Sequence, residues 1–162
     1  MLTADVADAA RRSVLCWLAT VDEQGQPNVS PKEIFALSGA HNLVIANVAS
    51  PTSVRNIQRN PRVCVSFVDV FVQKGFKVSG LARNLGRADP DYGKWVELLL
   101  PLAGTRFRIG SVIVVDVTAV EAIVAPSYRF YPDETTEQSQ VDAAMKTYGV
   151  RPVSAKGEAR QP

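Results

Sequence analysis

Six apolar runs rich in β-branched and aromatic residues recur along this chain at 13–21, 28–37, 43–48, 62–70, 75–85 and 108–124. Gly, Pro, Asn and Asp cluster between them, so each run reads as a strand and most intervals as turns. Helical spacing is confined to four places: 3–12, the short stretch 51–59, the stretch 89–104, and the region around Val141, Ala144, Met145 and Tyr148. The order predicts a mainly β or α+β fold, an antiparallel barrel with a few peripheral helices. The same order argues against a parallel doubly wound sheet, and no glycine-rich GxGxxG or GxxxxGK(S/T) loop follows any strand, which disfavours a dinucleotide Rossmann site or a P-loop.

Several positions carry local expectations. Pro31 suits an edge strand or a bulge, and Gly80 a bend or a close backbone approach. Trp17 is expected in the core, as is a stripe of Trp95, Leu98, Leu99 and Leu102 on a helix capped by Asp89 and started by Pro90. The length of 162 residues predicts one domain over 1–150, followed by a loose tail at 151–162 with no apolar pattern.

Composition excludes some functions. The net charge of +2 is carried by scattered basic residues, which argues against a nucleic-acid partner. Cys16 and Cys64 lie far apart inside apolar runs, and with one histidine in the chain, His41, no metal spacing exists. Buried thiols of this kind suit a cytoplasmic protein. The first residues lack a signal-peptide pattern, and no run reaches the ~20 apolar residues of a membrane span.

The most informative stretch is "ASPTSVRNIQRNPRVCVSF", residues 49–67. Ser50, Thr52 and Ser53 surround a proline where a helix begins, and Asn60-Pro61 ends that helix before a strand. A helix cap needs one hydroxyl. Three of them, with Arg55 and Asn56 one turn on and Lys32 on a neighbouring strand, suit an anion such as a phosphate. On "NVSPKEIF" the period of two puts Ser30, Lys32 and Ile34 on one face. Trp95 and Tyr92 are assigned to packing, and His41 to the surface.

The segments "CWLATVDEQGQPNVSPKEIFAL", "NLVIANVASPTSVRNIQRNPRVCVSFVD" and "GFKVSGLA" together resemble the pyridoxamine 5′-phosphate oxidase-like, FMN-binding split-barrel family over residues 11–88, and more loosely over 108–124. The resemblance implies a six-stranded antiparallel split barrel, a homodimer, and one FMN in each of two grooves at the subunit interface. It implies cofactor contacts from Ser30, Lys32, Ile45, Ala46, Asn47, Ser50, Thr52, Ser53, Arg55 and Asn56, with Lys74 and Phe76 approaching from the other subunit. It also implies an FMN-dependent oxidoreductase in which the flavin does the chemistry and no side chain need be a nucleophile. The family includes proteins that bind F420 or haem, so a flavin-binding storage or sensing module, or a barrel for one of those cofactors, is the alternative. The full oxidases carry an arginine and a lysine in an "RIVLLK"-like stretch. This chain has "SPKEIFAL", and its C-terminal part departs from theirs as well, so the substrate stays open.

Overall fold

A computed structural model describes residues 1–153. Its elements are α1 (Ala4–Arg12), β1 (Cys16–Val21), β2 (Pro27–Lys32), β3 (Phe35–Ser38), β4 (Asn42–Asn47), α2 (Pro51–Arg59), β5 (Arg62–Asp69), β6 (Lys74–Gly86), α3 (Tyr92–Val96), α4 (Leu100–Ala103), β7 (Ser111–Val124), α5 (Ser127–Phe130) and α6 (Glu137–Tyr148). The seven strands form one antiparallel sheet in the order β2-β1-β5-β6-β7-β4-β3.

The expected six strands become seven, and hydrogen bonds do not close the sheet into a barrel. The run 28–37 is responsible. Its first part pairs with β1 and its second with β4, so one segment supplies both open edges of the sheet. The change falls at a bend at Glu33-Ile34, after which Ile34 and Phe35 are buried one after the other. Phe35 joins the core with Leu18, Ile45, Val65 and Phe67. Ile34 joins a second cluster with Val44, Leu85, Trp95, Leu99 and Val114. Consecutive strand side chains point to opposite faces, so both faces of the sheet are covered here, and the bend at Glu33-Ile34 lets the chain leave β1 for β4. Pro31 sits on edge strand β2 opposite Trp17, and an edge strand is where a sheet tolerates proline.

Most other strand expectations hold. Val63, Val65 and Phe67 point inward from β5, as their alternation predicts. Gly80 marks a register shift against β7, and a Cβ there would lie 2.4 Å from the Asp116 carbonyl oxygen. Trp17 is a correction. It is 45% exposed, because Cys16 and Leu18 take the inward positions of β1. The stretch 89–104 is also corrected. It is two short helices, because Pro101 cannot donate to the preceding turn and its ring crowds the carbonyl there. Asp89 does not cap a helix; its carboxylate accepts from the Asp91 N–H at 3.0 Å. Trp95 and Leu99 are buried, whereas Leu98 and Leu102 are exposed. From residue 154 on, the expected tail lies outside the described residues.

Candidate functional site

The site forms where β2 ends and α2 begins. Lys32 is the last residue of β2, and the strand period turns it inward beside Cys16, its register partner on β1. Its side chain is 5% exposed and its ammonium donates to Ser50 Oγ. No carboxylate pairs with Lys32 among the described residues. Burial holds its ammonium below the ordinary lysine range, with Cys16 acting in the opposite sense. Burial pushes the Cys16 thiol up to about 12 against the pull of Lys32 and a backbone hydrogen bond, so it is inert at neutral pH.

Ser50 stands at the N-terminal boundary of α2 with its hydroxyl given to Lys32 and not to the helix. Its own N–H donates to Asn47 Oδ1 at 3.1 Å. Pro51 follows without an N–H, and the first intrahelical bond runs from Val54 N to Ser50 O at 3.2 Å. The N–H groups of Thr52 and Ser53 precede that bond and belong to the positive end of the helix dipole.

Lys32 and Ser50 form the polar end of a cleft of about 200 Å³, with Ile34, Ala46, Val48 and Phe107 as its apolar walls. Glu33 stands at its exposed rim. The cleft thus joins a buried, unneutralised cation and a helix N-terminus to an apolar surface. That combination suits a ligand with an anionic head and a flat apolar body.

The predicted residues separate into groups. Lys32, Ser50 and Ala46 come together in the cleft. Ser53 and Asn56 face the other way, into a seam that docks α2 on the sheet. There Ser30 and Ser53 hydroxyls meet at 3.0 Å, and Thr20 Oγ1 accepts from Asn56 Nδ2 at 3.1 Å and Asn28 Nδ2 at 3.2 Å. Asn47 spends its side chain on Ser50 and on Ser111 Oγ, to which it donates at 2.8 Å. Ile45 is fully buried in the first core. Thr52 and Arg55 are exposed, with the guanidinium 3.3 Å from Thr52 Oγ1. Lys74 pairs with Glu137 at 2.8 Å and lies 4.3 Å from the Tyr128 ring centroid, and Phe76 packs on Phe67.

Ile34, Val48 and Phe107 were not among the predicted site residues. Ile34 shares a face with Lys32, so the strand period pointed to it. Phe107 lies far along the chain in a loop whose two arginines, Arg106 and Arg108, are the conspicuous feature, and no local signal places it in one cleft with Lys32.

A family model described as pyridoxamine 5′-phosphate oxidase matches residues 2–123. Among solved structures, the chain is similar to HupZ of Group A Streptococcus at 23% identity, over 77% of this chain and 96% of that one, with a TM-score of 0.66. It is similar to a Lactobacillus delbrueckii protein named as a candidate pyridoxamine 5′-phosphate oxidase at 25% identity, over 74% of this chain and 93% of that one, with a TM-score of 0.61. A protein named F420 reductase matches at 25% identity, over 74% of this chain and 98% of that one, with a TM-score of 0.57. In the comparison with curated proteins, none matches.

Proposed function

Because the chain belongs to the pyridoxamine 5′-phosphate oxidase family, we propose that it binds FMN in the cleft between β2 and α2 and acts as an oxidoreductase. The observation that carries this reading is Lys32, a buried cation with no carboxylate partner among the described residues, set beside the start of α2. A buried charge of that kind is costly unless an anion neutralises it. In this reading Lys32 and Ser50 hold the phosphate, together with the Thr52 and Ser53 N–H groups. Ile34, Val48 and Phe107 keep water from the apolar part. When bound, FMN supplies the hydride or electron chemistry. The protein's own part is to bind, orient and shield.

The reading includes a second copy of the chain. A cleft of about 200 Å³ falls below the roughly 300–1,000 Å³ of pockets that enclose a ligand of this size. A partner subunit completes it. Val14, Trp17, Val70 and Phe71 line one exposed apolar surface, the kind of face that association covers. No helix among the described residues is long and apolar enough to cross a membrane. Two free cysteines suit a reducing, cytoplasmic setting.

The test is a visible absorption scan after FMN has been added and excess removed by gel filtration, with light scattering on the same sample. Retained flavin bands on a dimer support the reading, and oxidation of a nicotinamide nucleotide then separates an enzyme from a storage module. A colourless protein overturns the FMN assignment. Parallel scans with F420 and haem address the other cofactors, F420 first, given the likeness to the reductase of that name.

A further inference from the structure

The polar end of the cleft has a binding role, while its apolar wall has so far been given only the exclusion of water. We infer that Phe107 is the specificity-determining residue of the cleft: its ring is the surface on which the flat apolar body of the ligand lies, while Lys32 and Ser50 take the phosphate. This inference rests on the flavin reading of the same cleft.

Phe107 is half-buried and packs against the second core, the cluster of Trp95, Leu99 and Val112. The loop that carries it is held at both ends. Gly104, with φ of 57°, turns the chain out of α4. After Phe107, the Ile109 carbonyl accepts from Arg87 Nη2 at 3.1 Å, and the Gly110 N–H donates to the Asn47 carbonyl at 3.0 Å. Asn47 also fixes the Ser50 N–H. One residue therefore ties the aromatic wall to the anion end. The Arg106 guanidinium, 5.7 Å from the Phe107 ring centroid, adds a cation–π contact.

The chemistry of this wall defines a ligand class. Phe107, Ile34, Ala46 and Val48 bring no polar side-chain group to it. A hydroxyl-rich group seated there would lose water without gaining partners. The cleft therefore selects phosphomonoesters carrying a flat aromatic ring, and holds phosphorylated sugars and free phosphate weakly.

The experiment is a fluorescence titration of the full chain with FMN and with riboflavin, plus displacement of FMN by inorganic phosphate. Wild type, Phe107→Ala, Phe107→Trp and Lys32→Met are compared. The expected result for Phe107→Ala is a loss of about tenfold for both flavins, the scale of one lost aromatic contact with its buried area. Its apparent phosphate affinity stays at the wild-type value, and Phe107→Trp restores flavin binding. Lys32→Met shows the converse, losing phosphate competition and the preference for FMN over riboflavin. Wild-type flavin binding by Phe107→Ala, or an equal loss for phosphate, overturns the assignment of Phe107 alone. A wild-type protein that binds neither flavin overturns the cleft reading and this inference with it. Phe107→Leu gives the same comparison should the alanine variant fail to fold.

Discussion

The Asn47 carbonyl accepts from the Gly110 N–H at 3.0 Å while the Asn47 side chain accepts from the Ser50 N–H at 3.1 Å. The end of β4 thus braces the loop before β7 and the entrance to α2 together. Asn47→Ala keeps the first bond and removes the second, along with the bond to Ser111. The expected cost is about 1–3 kcal/mol, because the Ser111 and Ser50 groups lose partners at a half-buried site. Urea unfolding measures it, and FMN affinity should fall in the same variant. A variant of wild-type stability would contradict the bracing role.

Lys32→Met should move two quantities in opposite directions. Without ligand, replacing a buried unneutralised cation by an apolar side chain is neutral or stabilising, on the order of 1 kcal/mol or a rise of about 2–4 °C in Tm. FMN affinity should fall about tenfold to a hundredfold, the loss of one charge-assisted hydrogen bond. Calorimetric melting and titration of one preparation check both signs. A destabilised variant with unchanged affinity would make Lys32 a packing residue.

The same lysine sets a pH dependence. Burial lowers its folded value below the ordinary 10.5, so the unfolded chain keeps this proton to higher pH than the folded one. Stability therefore rises with pH across the interval between the folded value and 10.5. The penalty is fully present below that interval and gone above it. The stability advantage of Lys32→Met over wild type should shrink as pH rises from neutral toward 10. Phosphate binding should weaken over the same range, because a neutral amine no longer attracts the dianion. Unfolding curves at several pH values, read as the difference between variant and wild type, isolate this effect.

Cys16 is fully buried with its thiol pushed up to about 12, whereas Cys64 is half-buried. Iodoacetamide at pH 8 should label Cys64 first and reach Cys16 only in denaturant. Peptide mass spectrometry reads the order, and native labelling of Cys16 would contradict its placement.

A side chain at Gly80 meets main chain on the neighbouring strand, 2.4 Å from the Asp116 oxygen, and Val115 Cγ1 at 2.7 Å. Gly80→Ala should destabilise by about 1–3 kcal/mol or more, since a backbone neighbour cannot step aside. A lowered urea midpoint measures it.

The helix at 51–59 was legible to its ends because local chemistry sets both: Pro51 at the first helical position, Asn60-Pro61 as the stop. The strands were legible because alternation is local too. What escaped depends on distant partners. The division of 28–37 arises because β1 and β4 compete for one segment, and neither adjoins the other in the sheet. Trp17 faces outward because its neighbours take the core, a choice that its own hydrophobicity does not reveal. At the site, Lys32 and Ser50 were legible from residue type and spacing. Phe107 reaches them only through the pairing of β4 with β7, which no local pattern encodes.

That pairing joins Asn42 to Asp116 and Asn47 to Ser111, residues from opposite halves of the chain. Closing so long a loop costs entropy before any contact repays it, so such pairings form slowly. The walls of the cleft meet only once β7 has docked. A ribosome-bound chain that has emerged only as far as β6 has Lys32 and Ser50 but no Phe107 to face them, and the cleft is assembled late in synthesis.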